Sequence, residues 1–172
     1  MDTSDSPILK SIYERRSIRH FVDAPVSRDS IMAALRAACW APSGLNNQPW
    51  RFALIWDSQS KEALASLTRY SVTLKSAAVL IVVFLDKESS YDYVKDCQAV
   101  GACLQNLLLA FHSMDLGAVW LGEILKNGAR VREILKLPER LDLMAVVAVG
   151  HPAHRNQKSH RRPIEELILL EK

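Results

Sequence analysis

One run of eight residues, 78–85, is apolar at every position and constrains the fold more than any other stretch of the chain. Four of its side chains are β-branched, and the stretch is bounded by the polar residues Ser76 and Asp86, which is typical of a strand buried in a core. Residues 143–149 show the same pattern and predict a second core strand. Shorter runs over residues 52–56 and 118–121 predict two further strands, so the chain can build one modest sheet.

Helical patterns separate these strands. Predicted helices cover residues 6–16, 27–42, 60–70, 91–114 and 127–135, and residues 164–170 predict a short helix or strand. The longest of these helices carries an apolar stripe that keeps one face for roughly four turns. The stripe consists of Cys97, Val100, Gly101, Leu104, Leu107, Leu108 and Phe111. Because the helices and strands do not follow a regular βαβ order, the pattern predicts a mixed α+β domain around one sheet, with no second domain.

The net charge of +3 is concentrated in two clusters at opposite ends of the chain. The first cluster contains Lys10, Arg15, Arg16 and Arg19, and the second contains Arg155, Lys158, Arg161 and Arg162. Because this charge does not form a basic stripe, the sequence does not indicate a nucleic-acid-binding protein. In one compact domain of 172 residues the two clusters could meet over a single anion.

The three cysteines, Cys39, Cys97 and Cys103, lack a C-x-x-C spacing, which argues against a disulfide framework and a thiolate metal site. We expect them to be buried thiols in a reducing compartment. The first ten residues lack the pattern of a signal peptide, and the longest apolar run, 77–85, is too short to span a membrane. The sequence therefore predicts a cytoplasmic protein without a membrane segment.

Several familiar motifs are absent from the sequence. It contains no G-x-G-x-x-G after a strand, no G-x-x-x-x-G-K-[ST] and no G-x-S-x-G. It therefore predicts neither a Rossmann site, a P-loop nor the nucleophile elbow of a serine hydrolase. His151 and His154 are three residues apart, but Pro152 lies between them and no carboxylate or cysteine is near. We interpret these histidines as part of a polar turn rather than as a metal site.

The segment RRSIRHF, residues 15–21, follows the first predicted helix and carries three arginines and a hydroxyl within five residues. Guanidinium groups bind phosphate oxygens bidentately. A basic helix end is also favourable against the helix dipole without any ligand, and for this segment alone that simpler explanation is preferred. The tail segment SHRRPIEEL, residues 159–167, repeats the pattern, and a solvated basic tail would explain it.

The loop APSGLNNQPWRF, residues 41–52, joins a predicted helix to a predicted strand and is more polar than a simple turn requires. Five of its side chains can form hydrogen bonds: Ser43, Asn46, Asn47, Gln48 and Trp50. Pro42 and Pro49 stiffen the loop, and Gly44 allows a tight bend. The composition indicates that the loop holds a planar or polar group, unless its side chains satisfy their own backbone.

A further segment, VWLGEI, ends a predicted strand at Gly122, where a flat ring could lie against bare backbone. In this order, the segments RRSIRHF, APSGLNNQPWRF, GACLQNLLLAFHSMDLGAVWLGEI, MAVVAVGHP and RRPIEEL resemble the FMN-dependent nitroreductase family. The resemblance covers nearly the whole chain. It implies a nitroreductase-like α+β fold with a mixed, mainly antiparallel sheet flanked by helices, and a long central helix at a dimer interface. We therefore expect residues 1–172 to form a single FMN-binding domain.

The resemblance also implies which residues bind FMN. Those that match the phosphate and ribityl positions are Arg15, Arg16, Ser17 and, from the tail, Arg161. Arg19 matches a basic position near the pyrimidine edge, where a cation raises the reduction potential of the flavin. Members of the family often have a lysine two residues before the tail arginine. This chain has Ser159 there, and Lys158 is the candidate replacement.

In the family, the polar loop reaches the flavin of the partner subunit. The loop residues that match are Pro42, Ser43, Gly44, Asn46 and Gln48. The backbone around Leu121, Gly122 and Glu123 matches the segment that faces flavin N5 and O4. The resemblance therefore implies a homodimer with an FMN site at each interface, and we expect the apolar stripe of the long helix to be its seam.

The implied function is the two-electron reduction of a nitroaromatic, a quinone or a related small-molecule acceptor by NAD(P)H. Because no separate dinucleotide fold is present, we expect both substrates to use one pocket in a ping-pong mechanism. No residue is singled out as a catalytic acid or base. Three alternatives stay open: a flavin enzyme for reductive dehalogenation or flavin breakdown, a flavin-storage protein without turnover, and a phosphate- or RNA-binding module. The last lacks exposed aromatic residues between its arginines.

Overall fold

The computed structural model describes residues 6–172 of the chain. Its α-helices are α1 (Pro7–Glu14), α2 (Arg28–Ala38), α3 (Ser58–Ala65), α4 (Ser71–Ser76), α5 (Tyr93–Ser113) and α6 (Gly128–Leu135). Its strands are β1 (Trp50–Ile55), β2 (Val79–Asp86), β3 (Gly117–Leu121) and β4 (Leu141–Gly150). Short 3₁₀ turns lie at Gly44–Asn46, Lys87–Ser89, Glu123–Asn127 and Ile164–Glu166. None of the described helices is long and apolar enough to cross a membrane.

The four strands form one antiparallel sheet in the order β1-β2-β4-β3. Strand β2 is central, and all eight of its residues are buried. Side chains on one face of β2, such as Ile81 and Val83, pack with α2 and α5. Those on the other face, such as Leu80 and Val82, pack with α3, α4 and α6. Helices therefore cover both faces of the sheet, which confirms the predicted α+β fold.

Helix boundaries follow the capping signals in the sequence. Ser27 caps α2, because its hydroxyl accepts the backbone N–H of Ser30 at 3.0 Å. The longest helix, α5, begins after Asp92, whose carboxylate accepts the N–H of Lys95 at 3.0 Å. The helix predicted over residues 91–114 is thereby confirmed, with small differences at both ends.

The helix predicted over residues 60–70 is wrong in its extent. Helix α3 ends at Ala65, inside the predicted range, and the separate helix α4 begins at Ser71 after a turn. Within that turn, the Thr68 hydroxyl and the backbone N–H of Arg69 donate hydrogen bonds to the carboxylate of Glu123. These contacts with a residue that is distant in sequence replace the helical hydrogen bonds that the local pattern predicts.

The apolar stripe of α5 packs inside the chain. Its large members, Val100, Leu104, Leu107, Leu108 and Phe111, are buried between α5, α2 and the sheet. The expectation that this stripe forms a dimer seam is therefore wrong for these side chains, since a second chain cannot contact them. Gly101 faces open space instead, because a Cβ placed on it would meet no atom of another element within 4 Å.

The arginine-rich segment 15–21 runs beside β3. Ser17 pairs with Ala118 in a parallel bridge, and the N–H of Ile18 donates to the carbonyl of Ala118 at 3.0 Å. Gly117 permits this approach, because a Cβ on it would lie 2.8 Å from the Ile18 side chain. The segment is thereby held against the edge strand of the sheet.

The C-terminal tail leaves the sheet after β4 and stays exposed. Every residue from 158 onward has an exposed side chain. The single 3₁₀ turn at Ile164–Glu166 is shorter than the helix or strand predicted over residues 164–170. Because the tail packs on so little of its own chain, its conformation could not follow from local pattern alone.

One of the three cysteines is buried as predicted. Cys103 lies in the core, where burial and then the neighbouring Cys39 raise the pKa of its thiol to about 12. Cys39 is exposed at the end of α2, and Cys97 is half-buried. The prediction of three buried thiols is therefore wrong for Cys39.

Candidate functional site

The two basic clusters meet in one cavity of about 420 Å³. From the N-terminal segment it is lined by Arg15, Arg16, Ser17 and Arg19, and from the tail by Gln157, Lys158, Ser159 and Arg161. An adjoining cavity of about 490 Å³ shares Arg15, Arg16 and Arg161. The two ends of the chain therefore meet, as predicted, and that an anion binds between them stays a prediction.

Arg16 is partly used by its own helix. Its Nη1 donates to the carbonyl of Tyr13 at 2.5 Å and to that of Arg15 at 2.9 Å, at the end of α1 where carbonyls lack helical partners. The hydrogen bonds of Nη1 are therefore explained by the helix end alone, without a ligand. The Nε of Arg16 is buried without a hydrogen-bond partner among residues 6–172.

Arg15 has no counter-ion in the described part of the chain. The ion pairs within residues 6–172 involve neither Arg15, Arg16 nor Arg161, and the buried Nε of Arg15 also lacks a partner there. Burial first, and then the positive charges of Arg161 and Arg16, lower the pKa of Arg15. Guanidinium groups held together in this way repel one another, so an anion in the cavity would stabilise the arrangement.

The tail supplies the opposite wall of the cavity. Arg161 donates to the Ser159 hydroxyl and to the carbonyl of His160. Lys158 also lines the cavity, which suits it to replace the lysine that this chain lacks at position 159. Gln157 is an additional candidate for contact with a ligand, because it lines the cavity and is half-buried. Sequence patterns do not single out Gln157, since its neighbours are equally polar.

The segment at the end of β3 presents open backbone. Leu121 is buried, and Gly122 follows it four residues beyond Ala118, which forms the bridge to Ser17, a span of roughly 13 Å along an extended chain. A Cβ placed on Gly122 would meet no atom within 4 Å. A flat group could therefore approach the backbone here, as the sequence predicts.

The side chain of Glu123 is engaged within the chain. Its carboxylate accepts the Thr68 hydroxyl at 2.6 Å and the N–H of Arg69 at 3.2 Å, and it pairs with Lys126. The hydrogen bonds, from Lys126 first and then from Thr68, lower the pKa of Glu123 to about 2. The residue is thus suited to contact a ligand through its backbone.

The polar loop has an unusual backbone. Leu45, Asn46 and Gln48 adopt positive φ angles of 53°, 55° and 45°, a region that costs energy for residues other than glycine. The Ser43 hydroxyl accepts the N–H of Gln48 at 3.1 Å, and the Gln48 side chain donates to the carbonyl of Asn46 at 3.3 Å. Ser43 and Gln48 therefore serve the loop itself, which is the simpler of the two explanations considered for its polarity.

Two other loop residues are directed inward. Asn47 Nδ2 donates to the carboxylate of Asp96 at 2.7 Å and to the carbonyl of Ser89 at 2.9 Å. Gly44 lies against Tyr91, since a Cβ on Gly44 would be 2.0 Å from the Tyr91 hydroxyl. Exposed side chains on the outer surface of the loop belong to Pro42, Leu45, Asn46 and Gln48. That surface is available to a ligand or to another chain.

The structure joins some of the predicted site residues and leaves others apart. The five residues that line one cavity are Arg15, Arg16, Ser17, Arg19 and Arg161. Neither the loop nor residues 121–123 line either arginine cavity. Within one chain, therefore, the loop and the arginine cavity are separate features of the surface.

A family model described as the nitroreductase family matches residues 12–73 and 60–151 of the chain. The matched segments contain Arg15, Arg16 and Arg19, the polar loop and the end of β3. Together they span more than half of the sequence.

Individual proteins match over most of their length. A Desulfovibrio desulfuricans protein, provisionally named a nitroreductase and crystallised in complex with FMN, has 49% identity and a TM-score of 0.93, with 98% of each chain covered. An Archaeoglobus fulgidus protein, provisionally named an NADH dehydrogenase/NAD(P)H nitroreductase, is 37% identical, with 84% of each chain covered. The NADPH:FMN oxidoreductase of Vibrio harveyi, solved with NAD⁺, has 25% identity and a TM-score of 0.88, with 97% of this chain and 78% of that chain covered.

Proposed function

The chain belongs to the nitroreductase family, and on that basis we propose that it is an NAD(P)H-dependent oxidoreductase with FMN as its cofactor. We infer that it reduces a nitroaromatic, a quinone or a related acceptor by two electrons, and that residues 1–172 form one FMN-binding domain. The observation that carries the proposal is the cavity in which Arg15, Arg16 and Arg161 meet without a carboxylate from residues 6–172.

The cavity suits the terminal phosphate of FMN. A phosphate monoester carries about two negative charges at neutral pH, which would neutralise guanidinium groups that otherwise repel one another. Arg15 and Arg161 line the cavity without an ion-pair partner within residues 6–172, so their guanidinium groups can bind phosphate oxygens, and Ser17 adds a hydroxyl. We assign the phosphate and ribityl chain to Arg15, Arg16, Ser17 and Arg161, with Lys158 as the replacement for the family lysine.

When bound, FMN supplies the redox chemistry, since it accepts a hydride from NAD(P)H and passes two electrons to the acceptor. The chain binds and orients the ring. We assign the reactive edge to the backbone of Leu121, Gly122 and Glu123, where Gly122 leaves open space. Arg19 is assigned to the pyrimidine edge, where a positive charge favours the reduced ring.

A second copy of the chain would complete the site. Trp40 directly precedes the loop and Leu45 lies in it, and they are 88% and 85% exposed, which is unusual for large apolar side chains. In the tail, apolar residues from Ile164 to Leu170 are exposed as well. We propose a homodimer in which the outer surface of each loop contacts the flavin bound by its partner. The face of α5 near Gly101, rather than the buried stripe, is then the candidate seam.

Both substrates are proposed to use the same pocket in turn. The structure contains one sheet, of antiparallel strands, in residues 6–172, and no separate dinucleotide-binding unit occurs there. NAD(P)H would therefore bind transiently over the flavin and leave before the acceptor enters. This order gives a ping-pong mechanism.

Visible spectroscopy of the purified protein tests the proposed function. We expect a yellow protein whose flavin absorption bleaches anaerobically on addition of NADH or NADPH and returns when a quinone or nitroaromatic is added. Flavin that binds but never bleaches would indicate a storage protein. A protein that is colourless and takes up no added FMN would contradict the proposal.

A further inference from the structure

The structure buries two charged side chains within residues 6–172, and both contact the polar loop or its flank. Asp96 is 0% exposed and Asp86 is 3% exposed. Burying a carboxylate costs free energy unless hydrogen bonds or ion pairs compensate for its lost hydration. That both buried carboxylates converge on one short loop indicates that the shape of this loop matters for more than connecting α2 to β1.

Asp96 joins the loop to the first turn of α5. Its Oδ1 accepts Asn47 Nδ2 at 2.7 Å, and its Oδ2 accepts the Ser90 hydroxyl at 2.7 Å and the N–H of Tyr91 at 3.1 Å. Burial alone raises the pKa of Asp96, but the hydrogen bonds from Ser90 and Asn47 outweigh burial, and the pKa lies below its ordinary value. The carboxylate is therefore ionised and fully engaged, with one oxygen given to the loop.

Asp86 holds the other end of the loop. Its carboxylate pairs with Arg51 at 3.1 Å, and Arg51 Nη1 donates to the carbonyl of Gln48 at 3.0 Å. The backbone N–H of Asp86 donates to the carbonyl of Pro49 at 2.8 Å. Residues 47–51 are thus tied at one end to α5 and at the other to β2.

The residues with a strained backbone lie next to these ties. Leu45, Asn46 and Gln48 all have positive φ angles, and such residues keep this conformation only where their surroundings impose it. The contact of Gly44 with Tyr91 adds a third point of attachment. The outward side chains of the loop are consequently presented in one fixed arrangement.

We propose that Asn47 and Asp96, supported by Arg51 and Asp86, are positioning residues that fix the polar loop in the shape that meets the flavin of the partner subunit. This inference rests on the proposed function. None of the four residues needs to contact the flavin itself. They act by removing the conformational freedom that the loop would otherwise lose when the cofactor binds.

Asn47→Ala tests the inference with little risk to the fold, because it cuts the link to the loop while Asp96 keeps its contacts with Ser90 and Tyr91. Asp92→Ala is the matched control, since it removes the N-cap of the same helix without touching the loop. Asp96→Asn breaks the same hydrogen bond from the side of α5. The oxygen of the introduced amide would keep accepting the N–H of Tyr91, so its NH₂ group would face the NH₂ group of Asn47. Three readouts are compared: amide exchange without cofactor, FMN affinity, and the visible circular dichroism of bound FMN.

In the cofactor-free protein we expect the amides of residues 46–48 to exchange at least about tenfold faster in Asn47→Ala and in Asp96→Asn than in the wild type. Asp92→Ala should speed exchange in the first turn of α5 and leave the loop unchanged. FMN should bind about tenfold more weakly to Asn47→Ala, which corresponds to about 1.4 kcal/mol. The dichroism of the bound flavin should change in Asn47→Ala and stay unchanged in the control.

Unchanged loop exchange in Asn47→Ala would overturn the inference. Faster exchange with wild-type FMN affinity and dichroism would overturn it too, because the loop would then be anchored for the fold alone. Failure of the proposed function looks different, since the wild-type protein itself would then take up no FMN. The exchange experiment needs no cofactor, so the two failures are distinguishable.

Discussion

Arg15 and Arg161 line the same cavity although they come from opposite ends of the chain, and burial first and then the positive charge of Arg161 lower the pKa of Arg15. Segment 15–21 is fixed on β3 by the bridge between Ser17 and Ala118, so the tail is what closes the cavity. Like charges meeting in this way weaken the fold unless a ligand compensates for them. The first predictions concern that ligand.

Arg15→Ala should weaken FMN binding by about 1.5–3 kcal/mol, the range for hydrogen bonds to a charged group. Arg15 is the better target than Arg16, whose Nη1 already donates to the carbonyls of Tyr13 and Arg15. Flavin titration measures the change. Arg28→Ala, at the exposed start of α2, is the matched control and should bind FMN as the wild type does. Equal losses in both variants would mean that the arginine cluster is only a solvated helix end.

The flavin released by denaturation should be FMN rather than FAD. The cavity offers guanidinium groups and hydroxyls suited to a terminal monophosphate, from Arg15, Ser17 and Arg161. An adenosine moiety would need a further pocket continuous with this cavity. Chromatography of the released flavin decides the matter, and FAD as the main species would contradict the assignment of the cavity.

Local signals in the sequence predicted the elements of the fold well. The cap at Ser27 and the unbroken apolar run of β2 act over a few residues, so their consequences can be read from the sequence. The break between α3 and α4 could not be predicted in this way. It depends on Glu123, which lies far along the chain and draws the hydrogen bonds of Thr68 and Arg69 away from a helix.

The residues of the candidate site likewise divide into those that the sequence predicted and those that it did not. The arginines were predictable because charge clusters and family resemblance mark them, and the structure brings them together. Gln157 and Asp96 were missed, because a polar residue in a polar segment and a carboxylate near a helix start usually lie in solvent. What distinguishes Asp96 is its burial, which depends on how the loop folds back over α5. Burial of that kind is a property of tertiary structure.

The ionised side chain of Glu123 should contribute to the free energy of unfolding at neutral pH and lose this contribution at acid pH. Its pKa in the folded chain is about 2, against an ordinary value of 4.5. A carboxylate whose pKa is lower in the folded than in the unfolded chain stabilises the fold at pH values above the unfolded-state pKa. This contribution is lost as the pH falls from the unfolded-state pKa to the folded-state pKa. Glu123→Gln should therefore lower the unfolding free energy at neutral pH and have a steadily smaller effect between about pH 5 and about pH 2.5.

Urea unfolding at steps across that range measures the effect of Glu123→Gln. Glu139→Gln serves as the control, because Glu139 is exposed and forms no ion pair within the described residues. A difference between wild type and Glu123→Gln that stays constant over the whole pH range would show that the carboxylate charge is not the source of the stability.

Steady-state kinetics should give parallel lines in double-reciprocal plots when NAD(P)H and the acceptor are varied together. Parallel lines are expected because one pocket over the flavin serves both substrates, so the first must leave before the second binds. High concentrations of either substrate should then inhibit competitively against the other. Intersecting lines would indicate a ternary complex and a second binding site.

The last prediction concerns the partner subunit. If the loop of one chain serves the flavin held by the other, an arginine lesion and a loop lesion in different chains should complement each other. The two variants are Arg15→Glu in the cavity and Asn46→Leu on the outer surface of the loop. Asn46 is preferred to Ser43, whose hydroxyl accepts the Gln48 N–H and so maintains the loop itself. Each variant alone should fold, form dimers and lack activity.

In a mixed dimer both lesions fall in the same site, and the other site is built from two intact surfaces. Random exchange makes about half of the dimers mixed, each with one working site, so roughly a quarter of wild-type activity should return. Subunit exchange is verified with differently tagged chains before activity is measured. If activity stayed at zero after proven exchange, the loop and the arginine cavity would have to serve the same flavin within one chain. Because the loop does not line the arginine cavity of its own chain, we expect the activity to return.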